Sequence, residues 1–358
     1  MRYTWGRMPS FRTATVAVIT SERDGLQRVE LDDTSRAYCL TALIGPVALG
    51  DRVVINTTAV DLDLGTGGGH VVHWNLSRQE WRSPGAGHVM KLRYTSVQTD
   101  TGVAEEHHSA VLDAVASLGG RPVVVCSLHS QVAAVAAAIK FGRPTARVGY
   151  VMTDGGALPL ALSDLVAALR SANLLDVTVT AGHAFGGEFE AVNVPSALLV
   201  ACAAQLGAAD AVIVAMGPGG VGTGSRLGAT ALEVAPALDA AGALGGRAIA
   251  AVRWSDADLR PRHRGVSHHS RTALLLATHP ALVPVPPGPY GPAVREALAS
   301  AGATHHVVEE CEPPDVAGLL DAAGIHVTTM GRGAAEDPGF FAVAGAAGTA
   351  AAAVLSER

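Results

Sequence analysis

The sequence has very little lysine and no closely spaced pair of cysteines. Its 26 basic residues include only two lysines, Lys91 and Lys140, and the rest are arginines. This bias is typical of a GC-rich coding sequence, so an arginine alone indicates no function. The four cysteines are widely spaced, without a C-x-x-C pair. They indicate buried thiols in a reducing compartment and exclude a disulfide framework or a zinc ribbon.

An excess of positive charge and long apolar runs are also lacking. The formal net charge of −6 over 358 residues argues against a protein that binds nucleic acid through bulk electrostatics. The N-terminal stretch lacks the apolar core of a signal peptide. The tail FFAVAGAAGTAAAAVL is judged too short and too weakly hydrophobic to span a bilayer and is predicted to be a closing helix. We expect a cytoplasmic protein without nucleic-acid or membrane partners, for which homo-oligomerisation stays open.

Several fingerprints of common enzyme classes are absent. There is no G-x-G-x-x-G dinucleotide motif and no GK[ST] phosphate loop, which argues against a dehydrogenase of that type and a P-loop NTPase. There is no HExxH metal motif. A serine hydrolase built from Ser130, His183 and Asp154 lacks the G-x-S-x-G elbow and is disfavoured.

The first hundred residues have the pattern of a small β domain. The runs TATVAVIT and LQRVELD flank the turn signal ERDG and predict a hairpin. Further short β-rich runs follow, joined by glycine turns, with no helical period. We therefore predict a β-rich, barrel-like domain over residues 1–100.

From residue 101 to 358 the pattern changes to apolar strands that alternate with amphipathic helices. Predicted strands include RPVVVCSL, ARVGYVMT, DVTVTA, DAVIVAM and RAIAAVRWS, and later ALVPVP, HHVVEE and IHVTTMG. This alternation predicts an α/β fold with a doubly wound, mostly parallel sheet that is covered on both faces. The unusual polar residues follow directly after these strands. Because parallel strands end at one edge, we expect these residues to line a common cleft there.

A glycine-rich loop, GPGGVGTGSR, follows the strand DAVIVAM and precedes a predicted helix. Its glycines permit close backbone approach, and the helix N-terminus offers N–H groups to an anion. Thr223, Ser225 and Arg226 can add hydrogen bonds. The sequence predicts an anion- or substrate-binding loop, with a strained structural turn as the alternative. The binding residues would be Gly217, Gly219, Gly220, Gly222, Thr223, Gly224, Ser225 and Arg226.

The segment GHAFGGEFEAVN supplies a second set of candidates. Its glycine pair lets the loop fold back, so that His183 can approach a carboxylate. Glu188 and Glu190 are two apart and would face opposite sides of an extended chain, one as ligand or base and the other in support. Asp154, after another strand, is a candidate partner carboxylate.

The most unusual segment is RPRHRGVSHHSR, residues 260–271, with four arginines and three histidines. Ser267 is predicted to be the N-cap of a helix whose first turn holds His268 and His269. The positive end of the helix dipole favours neutral imidazole rings. Arg260, Arg262 and Arg264 would bind Asp256, Asp258 or an anionic ligand.

These residues give a set of candidate roles. The predicted catalytic residues are His183, Glu188, Asp154, His268 and His269. A divalent metal is a candidate cofactor, with His183, Glu188, His263 and His268 as ligands of suitable type. Arg264 joins the glycine loop as a predicted anion-binding residue.

The same motifs resemble a known bacterial family. GDRVVINTTAVDLDLGTGG, YVMTDGGALPLALSDLV, GHAFGGEFEAVNVPSAL, VAMGPGGVGTGSRLG and RHRGVSHHSRTAL are similar to sequences of the actinobacterial and related family catalogued as domain of unknown function 3866. The resemblance runs across most of the chain. It implies a bacterial cytosolic protein that one whole chain forms, and it carries no catalytic assignment.

The sequence thus predicts an enzyme that acts on a small phosphate- or carboxylate-bearing metabolite, with acid/base or metal-assisted chemistry. Hydrolysis, group transfer and isomerisation all fit. The alternatives are a non-catalytic sensor or scaffold that binds a metabolite in the same cleft, and a structural oligomer.

Overall fold

The structure, a computed structural model, describes residues 9–64, 67–83, 85 and 87–357. The chain forms two compact units, one up to Gly102 and the other from Val103 onward. The boundary expected from the sequence was residue 100. Most of the N-terminal stretch that lacks a signal-peptide pattern lies outside the described residues.

The first unit contains a closed five-stranded barrel in the order β1-β2-β3-β5-β4. β1 and β2 form the predicted antiparallel hairpin, with Gly25 at a φ of 76° in its turn. Val29, Val53 and Ile55 point into the barrel core. Closure removes the free strand edges that an open sheet of this size would expose. The elements in chain order are β1 Phe11–Arg23, β2 Leu26–Leu31, β3 Arg36–Leu40, α1 Thr41–Ile44, β4 Arg52–Asn56, α2 Thr58–Asp61, β5 Gly69–Asn75, β6 Met90–Lys91 and β7 Thr99–Asp100.

The second unit is built on an eight-stranded sheet in which every neighbouring pair is parallel. The strand order is β11-β10-β9-β12-β8-β13-β16-β17, and β14 and β15 form a separate antiparallel ribbon. The strands are β8 Pro122–Cys126, β9 Val148–Thr153, β10 Val177–Ala181, β11 Phe189–Ala191, β12 Ala211–Met216, β13 Arg247–Ala251, β14 Trp254–Ser255, β15 Gly265–Val266, β16 Leu282–Val285 and β17 Val307–Glu310.

Helices cover both faces of this sheet, as the sequence predicts. Successive strand residues point to opposite faces. In β8, Val123 and Val125 belong to one apolar core, and Val124 and Cys126 belong to the other. The helices α7 to α10 pack on the first face, and α5, α6, α11 and α12 pack on the second. The helices are α3 Ala104–His107, α4 Ser109–Ala114, α5 Gln131–Gly142, α6 Asp164–Ser171, α7 Val194–Cys202, α8 Val234–Ala243, α9 His268–Leu276, α10 Tyr290–Ala301, α11 Val316–Ala322 and α12 Pro338–Ser356.

The helix α12 is the closing helix that the sequence predicts. Its 19 residues and a mean hydropathy of 1.6 satisfy the length and composition of a membrane span, so these two properties alone do not exclude one. Burial distinguishes a core helix from a membrane span here, because 67% of that stretch is enclosed by the protein. Gly348 lies so close to α5 that an added Cβ would be 2.4 Å from the Val135 carbonyl oxygen. The helix therefore packs as a core helix, as in soluble α/β proteins.

One predicted strand is wrong. The run IHVTTMG, residues 325–331, forms no strand, and β17 is the last strand of the sheet in the described residues. The chain turns sharply instead, with Met330 at a φ of 50° and Gly331 at 80°. An isolated bridge joins Thr329 to Arg332. This turn directs Arg332 towards the functional region described next.

Candidate active site

The loops after β8, β12 and β13 enclose a crevice at the carboxyl edge of the sheet. The helices that follow β8 and β12 lie on opposite faces, so the chain leaves these neighbouring strands in opposite directions. Open α/β sheets bind ligands at such a switch point. The cavity has a volume of about 230 Å³, and its lining includes Ser127, Met216, Gly222, Arg253, His263 and His269.

The buried side chain of Gln131 fixes the base of this crevice. Its Oε1 accepts hydrogen bonds from the backbone N–H groups of Ser127 and Leu128, both at 3.0 Å. Its Nε2 donates to the carbonyl oxygens of Ala251 and Val252, at 3.0 and 3.2 Å. A glutamine amide can do both because it carries an acceptor and two donors. The carboxyl ends of β8 and β13 are thereby held together.

A buried ion-pair network holds the start of the arginine- and histidine-rich segment. The Asp258 carboxylate accepts from Arg253 Nη2 at 2.9 Å and from Arg260 Nη2 at 2.8 Å. The side chains of Asp258 and Arg253 are only 3% and 5% exposed. Hydrogen bonds from Arg260 hold the pKa of Asp258 well below its usual range, although burial opposes this shift. The expected pairing of Arg260 with an acidic residue is therefore present.

A second buried carboxylate, Asp337, supports the same segment. It accepts from Ser255 Oγ at 2.6 Å, from the Asp256 N–H at 2.8 Å and from Arg332 Nε at 3.0 Å. Arg264 is exposed, as Arg262 is, but unlike Arg262 it lines neither of the two cavities described here. His263 ends a 3-10 turn, Pro261–His263, with its side chain buried, whereas the following residue Arg264 is exposed. The structure thus gives no support to an anion-binding role for Arg264.

Three imidazoles meet at the wall of the crevice. One ring nitrogen from each of His263, His268 and His269 lies within 4.8 Å of the other two. The predicted N-cap is confirmed, because Ser267 Oγ accepts from the His269 N–H at 3.3 Å. The same hydroxyl is 2.8 Å from His263 Nδ1. We name His263, His268 and His269 the histidine cluster.

The histidine cluster is kept neutral by its surroundings. Burial, followed by the charges of Arg253 and Arg260, lowers the pKa of His263 to about 3. Burial also lowers the pKa of His268 and takes that of His269 to about 4. At neutral pH each ring therefore carries a lone pair that can accept a proton or bind a metal ion.

The glycine loop packs against the histidine cluster at Gly222, and its predicted role as an anion-binding loop stays a prediction. Some of its N–H groups are used locally: Thr223 N donates to Gly228 O and Ser225 N donates to Thr223 Oγ1. A 3-10 turn, Thr230–Glu233, separates the loop from α8. Gly217 and Gly220 are required by close packing, whereas Gly219 has a positive φ of 84° and Gly224 is unconstrained.

Gly222 and Arg226 are the parts of this loop that reach the functional region. A Cβ on Gly222 would lie 3.0 Å from His269 Cε1, so glycine permits direct packing on that ring. Arg226 and Gly224 line a second cavity of about 430 Å³, together with Arg262, Arg271 and His268. Arg262 also lines the first cavity. The two cavities therefore lie on either side of the histidine cluster.

The second cavity is rich in positive charge that is not neutralised internally. No acidic partner of Arg226, Arg262 or Arg271 is found within the described part of the chain. Arg271 Nε is buried without a hydrogen-bond partner. Guanidinium groups in this state are of the chemical type that pairs with carboxylate or phosphate groups.

His183 and Asp154 lie at the same edge of the sheet but farther along it. The His183 N–H donates to Asp154 Oδ2 at 2.9 Å, and Gly182 has a φ of 67° that permits this approach. His183 follows β10, which is four strands from β13, or about 19 Å at a strand spacing of ~4.8 Å. The structure places the backbone of His183 beside Asp154 and away from the histidine cluster, and the predicted pairing of the His183 imidazole with a carboxylate stays a prediction.

Glu188 does not join either group. It pairs with Arg170 at 2.6 Å and accepts from the Thr178 N–H at 3.2 Å. The chain doubles back after β10 to start the parallel strand β11, so Glu188 lies beside the beginning of β10. The predicted alternation of the two glutamates is observed, since Glu190 is buried and accepts from Thr180 Oγ1 at 2.6 Å. Both glutamates therefore accept hydrogen bonds at the edge of the sheet where β11 pairs with β10.

Sequence reasoning missed Glu233. Its carboxyl group accepts from Thr153 Oγ1 at 2.5 Å, and a Cβ on Gly155 would lie 2.3 Å from Glu233 Oε2. Burial, with a contribution from the charge of Asp154, raises its pKa to about 7. The glycine pair after β9 was the available signal, because it leaves room for a side chain from another loop. Arg253 and Asp337 gave no comparable signal, whereas Gln131 is one of the polar residues that directly follow a predicted strand.

Comparison with known proteins identifies the family and nothing beyond it. The profile of the family described as protein of unknown function (DUF3866) matches residues 36–348. The chain belongs to this family, as the motifs indicate. No curated protein and no solved structure matches the chain.

Proposed function

We propose that this member of the DUF3866 family is an enzyme that acts on a small phosphate- or carboxylate-bearing metabolite at the carboxyl edge of its parallel sheet. The anionic group would bind Arg226, Arg262 and Arg271 in the second cavity. The reacting part would lie over the histidine cluster in the crevice. The reaction classes that fit are hydrolysis, group transfer and isomerisation, with acid/base or metal-assisted chemistry.

The observation that carries this proposal is the set of three unpaired guanidinium groups around one cavity. In the same region, Arg253 and Arg260 instead share the carboxylate of Asp258. Arg226 and Arg262 are exposed and Arg271 is half-buried, so a ligand from solution can reach all three guanidinium groups. Guanidinium groups bind carboxylate and phosphate through paired N–H donors, so the chemistry of the ligand follows from the lining.

The position of the imidazoles favours chemistry over simple binding. His268 lines the anion-binding cavity and His269 lines the crevice. The Nε2 atoms of both rings are buried without a hydrogen-bond partner. A neutral imidazole next to a bound anion can take up or deliver a proton during the reaction. The burial of three of the four free cysteines suits the cytoplasmic location that we also propose.

Binding is tested by calorimetric titration of the metal-free protein with inorganic phosphate, citrate and an uncharged sugar. We expect the two anions to bind and the sugar not to bind. Arg262→Gln and Arg271→Gln should each weaken anion binding roughly 10-fold or more, since one charge-assisted hydrogen bond contributes about 1.5–3 kcal/mol. Arg264→Gln is the matched control, because Arg264 belongs to the same segment and lines neither cavity. Equal losses in all three variants would contradict the proposal.

Turnover is tested by incubating the protein with a panel of phosphate- and carboxylate-bearing metabolites and following products by NMR. We expect at least one binding metabolite to be converted. We expect His269→Gln to lose this conversion and to retain anion binding measured in the metal-free protein. A ligand that binds through the arginines and is never converted would support the sensor instead. A structural oligomer would show neither property.

A further inference from the structure

The nitrogen atoms of the histidine cluster lack the partners that buried polar atoms normally have. His268 Nε2 and His269 Nε2 are buried and form no hydrogen bond in the structure. Such atoms are rare in proteins, because an unpaired buried polar group costs about 1–3 kcal/mol. Two of them point to a ligand that both rings share.

The third ring has a partner of the kind that supports metal ligands. His263 Nδ1 lies 2.8 Å from Ser267 Oγ and 3.4 Å from Arg253 Nη1. In the tautomer whose Nδ1–H donates to Ser267, the lone pair of Nε2 is free. Metal-bound histidines usually donate their other N–H in this way, which fixes the orientation of the ring. The longer contact to Arg253 fits the opposite tautomer, so a bound ion would select between the two.

From this arrangement we infer that His263, His268 and His269 form a binding site for one divalent transition-metal ion. Ligand nitrogens of a tetrahedral ion with bonds of 2.0–2.1 Å lie about 3.3 Å apart. The ligand atoms of the histidine cluster already lie within 4.8 Å of one another. The rings need to close by at most about 1.5 Å. The adjacent histidines His305 and His306 do not offer free nitrogen atoms to a metal ion in the same way. The Nε2 atom of each ring is hydrogen-bonded to a backbone carbonyl oxygen at 2.8 Å.

The donor set indicates the ion and its role. Three neutral imidazoles favour Zn²⁺, Co²⁺ or Ni²⁺ over Mg²⁺ and Ca²⁺, which prefer oxygen. Three protein ligands leave a fourth position for water or substrate, as in catalytic zinc sites. His263 and His269 face the crevice, so this position would open there. The ion supplies the cofactor of the function proposed above, and its catalytic role rests on that proposal.

The charges of the nearby arginines affect the affinity of the histidine cluster for the metal ion. Asp258 neutralises much of the charge of Arg253 and Arg260, but Arg262 and Arg271 remain unpaired. These two charges repel a divalent cation. An anion that binds the arginines removes this repulsion. Metal and anion should therefore bind cooperatively, each raising the affinity for the other by the same factor.

The site is tested on the full-length protein after treatment with a chelator. Zn²⁺ is titrated by calorimetry, and Co²⁺ is followed by the visible absorption that tetrahedral nitrogen coordination produces. We expect one ion per chain. Loss of a supporting hydrogen bond to a metal ligand costs roughly 10–100-fold in affinity, so loss of a ligand in His268→Ala or His269→Ala should cost at least about 100-fold. His107→Ala, at an exposed histidine beside His108, should bind the ion unchanged.

The metal titrations either support the metal site or overturn it. Absence of Zn²⁺ and Co²⁺ binding by the wild-type protein overturns the inference, as does binding that survives both alanine variants. His268→Gln provides a second variant if His268→Ala fails to fold, with circular dichroism as the check. Phosphate titration of the metal-free protein is independent of the ion. Metal binding without arginine-dependent phosphate binding would support the metal site and reject the proposed function. Arginine-dependent phosphate binding without metal binding would reject the metal site and leave the proposed function standing.

Discussion

The substitution Asp258→Asn tests the network that holds the histidine-bearing segment in place. It removes one charge and keeps the size of the side chain. Arg253 then stays buried opposite a neutral amide, which has one acceptor oxygen where the Asp258 carboxylate had two. Since its side chain is 5% exposed, Arg253 cannot recover its hydration without local unfolding.

The magnitude follows from the exposure of each partner. Breaking a fully buried ion pair by removing one member costs about 3–5 kcal/mol. The Arg260 side chain is 44% exposed, so its pairing with Asp258 is screened and adds about 1 kcal/mol or less. The retained amide oxygen offsets part of the loss. We expect the free energy of unfolding of the second unit to fall by about 3–4 kcal/mol, or roughly 6–15 °C in Tm.

The effect also depends on pH in a defined direction. The pKa of Asp258 is depressed in the folded state, so its ionisation stabilises the fold above the unfolded value of about 3.9. This contribution disappears as the pH falls through the folded pKa. The difference in stability between wild type and Asp258→Asn should therefore be constant at neutral pH and shrink in strong acid.

The assay is urea unfolding followed by circular dichroism, with calorimetry for Tm. Glu188→Gln is the matched control, because Glu188 forms a half-exposed ion pair with Arg170 in the same unit. Its loss should cost about 1 kcal/mol or less. Equal effects of the two substitutions, or a loss below about 1 kcal/mol for Asp258→Asn, would refute the description of this network as a buried support.

Two further predictions concern neighbouring parts of the site. The pKa of Glu233 is raised to about 7 in the folded state, so stability should decline as the pH rises from the unfolded value near 4.3 to 7, by roughly 4 kcal/mol at most. In urea unfolding between pH 5 and 8, Glu233→Gln should remove this slope, and a slope that persists would contradict the assignment. Gly222→Ala should displace the His269 ring and change its imidazole nitrogen shifts in NMR, whereas Gly224→Ala, with no atom within 4 Å of the added methyl group, should leave them unchanged. Equal shifts in both variants would show that the glycine loop does not pack on that ring as described.

The fold could be read from the sequence because its signals are local. Apolar runs bounded by glycine turns specify short strands, and the alternation of strand and helix specifies a parallel sheet with two covered faces. The strand predicted at residues 325–331 does not form because Met330 and Gly331 adopt positive φ values, which an apolar pattern does not reveal. The position of the crevice also follows from the sequence, since parallel strands end at one edge whatever their order.

Which side chains share that crevice was decided by the tertiary structure. Neighbouring residues on a helix do not face each other, so His268 and His269 converge with His263 only because the segment is held by Asp258 and Asp337. Strand order, which no local pattern encodes, separates His183 from these rings and carries Glu188 to the edge of the sheet. The sequence alone established the residue types and the edge at which they gather. Long-range packing determined which of them lie within reach of one another, because contacts between distant loops depend on the whole arrangement of the sheet.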